Sequence, residues 1–505
     1  MIRGTHFTWM AMLVAVGMLG CPSGAWDDDD ADNEYWGDDD DYTGDDDDDD
    51  GDDDDDTTEE EEEDVCDEAT EEETTLYLSA DDSNSQAAPT LARQVIGQGG
   101  LIHGGMRPYE FLNYYDFYFP AAPAGEVRLV PELRDNGEGS YTMMVAVVAP
   151  STHEFGRRPR SLTFSVDSSG SMSGHPMDMV KEVMIQAASN LIEGDVISIL
   201  SWDTGTTVLL NAHEVSGPGD PSVVGAINAL STGGSTDLNN GLEKAYELAQ
   251  DAYDPSRLNR VILLSDGGAN TGVTLENMIA HHADDAEAEG IYMVGVGMDD
   301  YGSSYDDKLM DTITDAGKGA YVYIDTEEEA VRTFGDDETF LTVMELAARE
   351  VQLSMTMPGG FVMDEFHGEE YSEDPEEVEP QHLAPGDAML YHFDLMDCAV
   401  ELHDGAEVFE FVVTWIDPET REERVTSLNM SVDEMIDEAG PQLRKANLVV
   451  EYAQALTGVW DLPADERGPY LDALIARADE AYVDSGDADL AEIADLLGKY
   501  KQNAN

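Results

Sequence analysis

The stretch Phe164-Ser165-Val166-Asp167-Ser168-Ser169-Gly170-Ser171-Met172 decides the fold. An apolar run over 162–166 stops at a loop of small polar residues, the way a buried strand passes into a strand-end loop. Comparable apolar runs follow at 196–202, 261–264 and 291–296, separated by helix-length segments. Short apolar strands alternating with helices predict a mostly parallel sheet with helices on both faces, a doubly wound, Rossmann-like α/β arrangement. Ligands of such sheets gather at the carboxyl ends of the strands, where Asp167 falls.

Asp167, Ser169 and Ser171 stand at every second position, so the loop can turn three oxygens toward one point, and Gly170 permits the tight turn between them. Two further segments end on the same edge. Gly233-Gly234-Ser235-Thr236-Asp237-Leu238 opens a helix around 242–249, and Leu264-Ser265-Asp266-Gly267-Gly268 closes another strand. Each has an ordinary reading alone: serine-rich turns and Thr236 or Asp237 cap helices, and Asp266 is a turn residue before glycine. Together, Asp167, Ser169, Ser171, Thr236 and Asp266 place hard oxygen donors on three loops of one sheet edge, a set suited to Mg²⁺, with Mn²⁺ and Ca²⁺ as alternatives.

In order and approximate spacing these five residues resemble the metal-ion-dependent adhesion site of von Willebrand factor A (VWA) domains. The resemblance implies that Ser169, Ser171 and Thr236 coordinate directly and that Asp167 and Asp266 support them, often through water. It also implies a metal left electrophilic, completed by a Glu or Asp of a protein partner. The rim candidates are 172–176, which includes His175, together with 203–207 and 298–305. The segments 110–120, 294–298, 306–310 and 319–325 resemble bacterial secreted proteins related to inter-alpha-trypsin inhibitor heavy chains. The associated C-terminal domain of uncharacterised function resembles 346–501.

Outside 161–340 the texture changes. Residues 107–160 open with an aromatic cluster over 108–120, consistent with a short helix, and then read as strands around the turn signal Asn136-Gly137. Residues 341–435 alternate as strands again, and 436–505 carry helical periodicity, clearest at 443–456 and 470–483. The expectation is an α/β domain inserted between strand-rich segments of one β-sandwich, closed by a helical hairpin.

The 505 residues carry 111 acidic and 24 basic side chains, a net charge of −87. Residues 27–73 hold 32 of the acids and no Lys or Arg, so 22–106 is expected to be an extended acidic stalk. The rest still has 79 acids against 24 basic residues. That fits either adaptation to saline water or an acidic face for cations and basic partners, and both exclude nucleic acid as a partner. Residues 1–21 read as a lipoprotein signal: Arg3 and His6 precede an apolar run over 7–19 that ends at Cys21, the expected site of lipidation. This places the chain in the envelope of a bacterium, lipid-anchored and outside the cytoplasm. Cys66 and Cys398 either pair or stay as free thiols; their spacing does not choose.

The functional reading is a lipid-anchored, metal-dependent binding protein and not an enzyme. His153-Glu154 and His213-Glu214 lack the second histidine of a zinc-protease motif, and the chain has neither a Gly-x-Ser-x-Gly elbow nor a P-loop. The alternatives are a calcium-sequestering envelope protein working through its Asp-rich stalk, and an unrecognised hydrolase.

Overall fold

The computed structural model describes residues 65–504 except 103–105, 152–156, 268–277, 280, 282–289, 300–304 and 419. The signal segment, Cys21 and the tract 22–64 lie outside the described residues. Strands in chain order are β1 (Thr74–Ser79), β2 (Arg128–Gly137), β3 (Ser140–Val148), β4 (Arg160–Asp167), β5 (Val196–Trp202), β6 (Thr206–Glu214), β7 (Leu258–Ser265), β8 (Tyr292–Gly297) and β9 (Tyr321–Tyr323). They continue as β10 (Ala348–Met357), β11 (Phe361–Phe366), β12 (Glu370–Ser372), β13 (Gln381–Leu383), β14 (Ala388–Asp397), β15 (Val408–Ile416) and β16 (Glu423–Ser431). The described helices begin with α1 (Ala87–Gly97), α2 (Pro108–Tyr114), α3 (His175–Ser189), α4 (Pro221–Ala229), α5 (Leu238–Asp251) and α6 (Asp307–Asp315). They end with α7 (Glu327–Phe334), α8 (Asp337–Met344), α9 (Val432–Glu438), α10 (Pro441–Gly458), α11 (Ala464–Ser485) and α12 (Ala488–Asn503).

The α/β domain is a sheet of order β6-β5-β4-β7-β8-β9, parallel except for the antiparallel edge strand β6. All eight residues of the central strand β4 are buried, as a strand covered on both faces requires. Phe164, Val166, Ile199 and Ile262 pack on one face with α3, α4 and the α7–α8 pair. Leu200, Trp202, Val261 and Leu263 pack on the other with α5 and α6. This is the doubly wound sheet expected from 162–296.

The strand-rich segments on either side of it do join. One antiparallel sheet runs β12-β1-β10-β15-β16, with β13 on β10, and the other runs β11-β14-β3-β2. Phe409, Phe411, Leu353 and Met355 of the first face Met143, Val145, Met389 and Phe393 of the second in one apolar core. The outer face of the second sheet (Met144, Ala146, Val148, Leu390) packs against α2, α10, α11 and α12. The closing element is therefore not a two-helix hairpin. α12 adds Leu490, Ile493 and Leu497 to that layer, a periodicity masked by its interspersed Asp, Glu and Lys. The β2–β3 reversal also falls two residues later than the Asn136-Gly137 signal, on Glu138 and Gly139, both with positive φ (58° and 84°).

The stalk boundary at 106 is corrected by the structure. β1 pairs antiparallel with β10, Leu76 opposite Met355 and Leu78 opposite Leu353, and α1 buries Ala88, Ala92 and Ile96. Between them the polar run 81–85 is buried because its groups are bonded. Ser83 N–H donates to His382 O (3.1 Å), Ser83 Oγ accepts from Ala384 N–H (3.0 Å), and Asn84 Nδ2 donates to Thr342 O (3.1 Å). Composition marks such a stretch as exposed; its bonding partners, over 250 residues away, bury it. Burial pushes the Asp82 carboxyl up to about 8, against the His382 N–H that donates to it.

An acid raised above its unfolded value favours the fold below that value and loses the contribution as pH rises through the folded one. Unfolding free energy is therefore expected to fall between pH 4 and 8, Asp82 contributing a slope of up to about 1.4 kcal/mol per pH unit. Denaturant melts across that range check this, and Asp82→Asn should flatten the slope. An unchanged slope in the variant would refute the assignment.

Cys66 and Cys398 form a disulfide, Cα–Cα 5.5 Å, joining the start of the described chain to the segment after β14. A Cys66→Ser, Cys398→Ser chain is expected to lose about 2–5 kcal/mol of unfolding free energy. Equal denaturation midpoints would show that the link only tethers a segment already pinned by β1.

Candidate metal centre

β4 delivers Asp167 to the carboxyl edge of the sheet, and the loop after it is held by its neighbours. Ser168 N–H and Oγ–H both donate to Trp202 O at the end of β5 (2.8 and 2.9 Å). Gly233 N–H donates to Ser168 O (2.8 Å), and Gly170 N–H donates to Gly234 O (3.3 Å). The loop that opens α5 is thereby laid across the loop of Ser169 and Ser171, and it carries Thr236 two residues on from Gly234. Gly234 has φ +80°, and a Cβ there would stand 2.7 Å from Asp203 Oδ2, so only glycine fits.

Asp167 is the floor of the site, 0% exposed. Its Oδ1 accepts from Ser169 N–H (2.8 Å) and its Oδ2 from Ser265 Oγ (2.9 Å). Ser265 Oγ in turn accepts from Gly267 N–H (3.1 Å), which fixes the turn bearing Asp266. Asp266 is 3% exposed and Ser169 1%. Ser169 Oγ and Ser171 Oγ are 3.0 Å apart, Ser171 is exposed and Thr236 half-buried, so hydroxyls form the mouth above two buried carboxylates. Burial pushes Asp167 up to about 6; the Asp266 charge adds to this, and the bonds from Ser169 and Ser265 oppose it.

Four of the five residues are thus linked through bonds or electrostatics, and Thr236 is brought to the same edge by the backbone of its loop. Asp237 behaves as the cap considered for it, accepting from Asn240 N–H (3.2 Å). The rim differs from expectation at two points. Met172 and Met298 are fully buried, in the core beneath the loops. Thr204 to Thr207 are exposed, Ser173 to His175 likewise, and 300–304 lie outside the described residues. Three side chains support the site, Asp203 and Thr204 from the expected rim 203–207 and Ser265, to which the sequence assigned no role. Ser265 buttresses Asp167, Asp203 lies against Gly234, and Thr204 Oγ1 accepts from Ser235 N–H (3.0 Å). Ser265 was within reach, being the last residue of its strand and adjacent to Asp266.

The donor set fits a hard divalent cation: two buried carboxylates of like charge, with hydroxyl oxygens over them, are a cradle of acceptors that a cation would neutralise. Fold and site together define a class, an open α/β domain with an oxygen-lined cradle at the carboxyl edge of its sheet. Residues 161–337 are a von Willebrand factor type A domain, matching that family's model over this span.

The uncharacterized protein YfbK of Escherichia coli (strain K12) is 29% identical over 182 residues, which cover 35% of this chain and 30% of that protein. The inter-alpha-trypsin inhibitor heavy chain H3 of Mesocricetus auratus is 26% identical over 120 residues, 23% of this chain and 14% of its own. The chain thus spans less than half the length of these curated relatives. A solved von Willebrand factor type A protein from Catenulispora acidiphila superposes with a TM-score of 0.43 at 17% identity, covering 72% of this chain and 84% of the other. The family is associated with protein–protein interaction and adhesion, is generally non-catalytic, and commonly binds a divalent metal at this edge. No described helix is long and apolar enough to cross a membrane.

Proposed function

We propose that this chain is an extracytoplasmic binding protein whose A domain captures a protein partner through a divalent cation, Mg²⁺ first and Mn²⁺ or Ca²⁺ as alternatives. Ser169, Ser171 and Thr236 would hold the ion, and Asp167 and Asp266 would support them from beneath. When bound, the ion supplies an electrophilic point that a partner's Glu or Asp side chain completes. The protein's own contribution is to keep two carboxylates dry under that point and to fix their orientation. Ser169 N–H and Ser265 Oγ–H hold Asp167, while the exposed loop 204–207 and Ser173 to His175 offer a rim for specificity.

The observation that carries this reading is the buried, mutually repelling pair Asp167 and Asp266 opening to the surface through hydroxyls. In the same proposal Cys21 is lipidated, and the acidic tract holds the head away from the membrane of a bacterial envelope.

The test is a pull-down from native envelope material with Mg²⁺, with EDTA, and with a chain lacking residues 27–62. Partner recovery that needs Mg²⁺ and survives the deletion supports adhesion through the A domain. Recovery that is unchanged by Asp167→Ala but lost on deletion would replace it with a calcium-collecting tract.

A further inference from the structure

A second cluster lies on the β-sandwich, away from the A domain. Glu365 is the penultimate residue of β11, His367 follows the strand, and Asp394 projects from β14 on the face that α10 covers. His367 Nδ1 stands 3.6 Å from Glu365 Oε1, and its Nε2 stands 3.6 Å from Asp394 Oδ2. Those separations are too long for hydrogen bonds, and they match the spacing of two ligands that share one ion. One nitrogen of His367 and one oxygen from each carboxylate all lie within 4.8 Å of one another.

The surroundings fix these groups. Thr142 Oγ1 donates to Asp394 Oδ1 (2.7 Å), Gln454 Nε2 donates to Glu365 Oε1 (3.1 Å), and His367 N–H donates to His392 O (3.0 Å). His367 is 5% exposed, whereas Glu365 lies at the surface.

An independent observation comes from His392. It is 3% exposed, and its Nδ1 is buried with no hydrogen-bond partner among the described residues. Its ring centroid lies 5.0 Å from that of His367. A buried nitrogen without a hydrogen-bond partner, on a ring packed against that of His367, is a group that a cation would satisfy.

We propose that Glu365, His367 and Asp394, with His392 beside them, form a second cation site of the zinc class. Mixed imidazole and carboxylate donors select Zn²⁺, Co²⁺ or Ni²⁺, in contrast to the all-oxygen cradle of the A domain. Such an ion would tie β11 and β14 together next to α10.

The test uses the full chain and Co²⁺ alone as probe, in excess Mg²⁺ to occupy surface carboxylates. One tight equivalent with a visible ligand-field absorption is expected, unchanged in Asp167→Asn. His367→Gln and Asp394→Asn should each weaken it at least about tenfold. Affinity within threefold of the parent in His367→Gln would place the ion on surface carboxylates and overturn the site. Should those variants misfold, Zn²⁺ added to the unaltered chain must shift the imidazole NMR signals of His367 and His392 stoichiometrically. Signals that stay put would overturn the proposal equally.

Discussion

Asp167→Asn is expected to cut the metal-dependent stabilisation of the chain to about half or less. At a metal concentration 100 times its Kd, the parent should gain about 2.7 kcal/mol of unfolding free energy. Loss of a supporting carboxylate costs on the order of 10–100-fold in metal affinity, so the same metal concentration gives the variant about 0.4–1.4 kcal/mol, a reduced gain and not a complete loss. Without metal the ranking should reverse above pH 6. Asp167 is raised to about 6, so its neutral form favours the fold below the unfolded value of 3.8, and that contribution is lost as pH rises through 6. Asparagine keeps one oxygen, for Ser169 N–H, and turns its amide N–H toward Ser265 Oγ, a hydroxyl that can accept, without the buried charge. At pH 8 the metal-free variant should therefore unfold at higher denaturant than the metal-free parent. Calorimetric melts with and without Mg²⁺ read both effects, and equal Mg²⁺ stabilisation of the two chains would remove Asp167 from the site.

Gly319→Ala is expected to cost about 3 kcal/mol or more, or to prevent folding. A Cβ at 319 would stand 1.9 Å from Met293 O and 2.7 Å from its carbonyl carbon. Neither backbone can yield. Met293 lies in β8, hydrogen-bonded to β7, and the segment entering β9 is bonded to it through Met293 N–H to Gly317 O and Gly295 N–H to Ala320 O (2.9 Å each). Gly225→Ala is the matched control. It sits in α4 with nothing within 4 Å of the added methyl, and alanine in a helix interior should stabilise by about 0.5–1 kcal/mol. Denaturant midpoints of the two variants must move in opposite directions. A Gly319→Ala midpoint within error of the parent would show that β9 repositions freely.

The α/β domain was legible because its information is local. A buried strand of a parallel sheet is apolar throughout, as in 162–166 and 261–264, and the loop after it must turn, which Ser, Gly and Asp signal without help from distant residues. The strand character on both sides of the inserted domain was legible for the same reason, through the apolar cluster of β3 before it and the period-two alternation of β10 and β15 after it. Burial of 74–97 was not, because Thr74–Ser79 is a weak six-residue strand until Leu353 and Met355 lie opposite it. Nor could the sequence separate Gly319 from Gly225, since the difference lies in a carbonyl from another strand.

The metal cradle divides along the same line. The sequence alone determined that Asp167, Ser169, Ser171, Thr236 and Asp266 end or open elements on one sheet edge, because strand ends and helix starts are written in short-range pattern. Tertiary structure decided which oxygens sit dry, which are propped, and by what. Asp167 is held by Ser265 from β7, the Thr236 loop is laid across it by Gly170 and Gly234, and His367 meets Asp394 only because β11 pairs with β14. The physical reason is range: periodicity and turn chemistry act over a few residues. Burial, desolvation and side-chain convergence depend on partners that chain topology alone brings together.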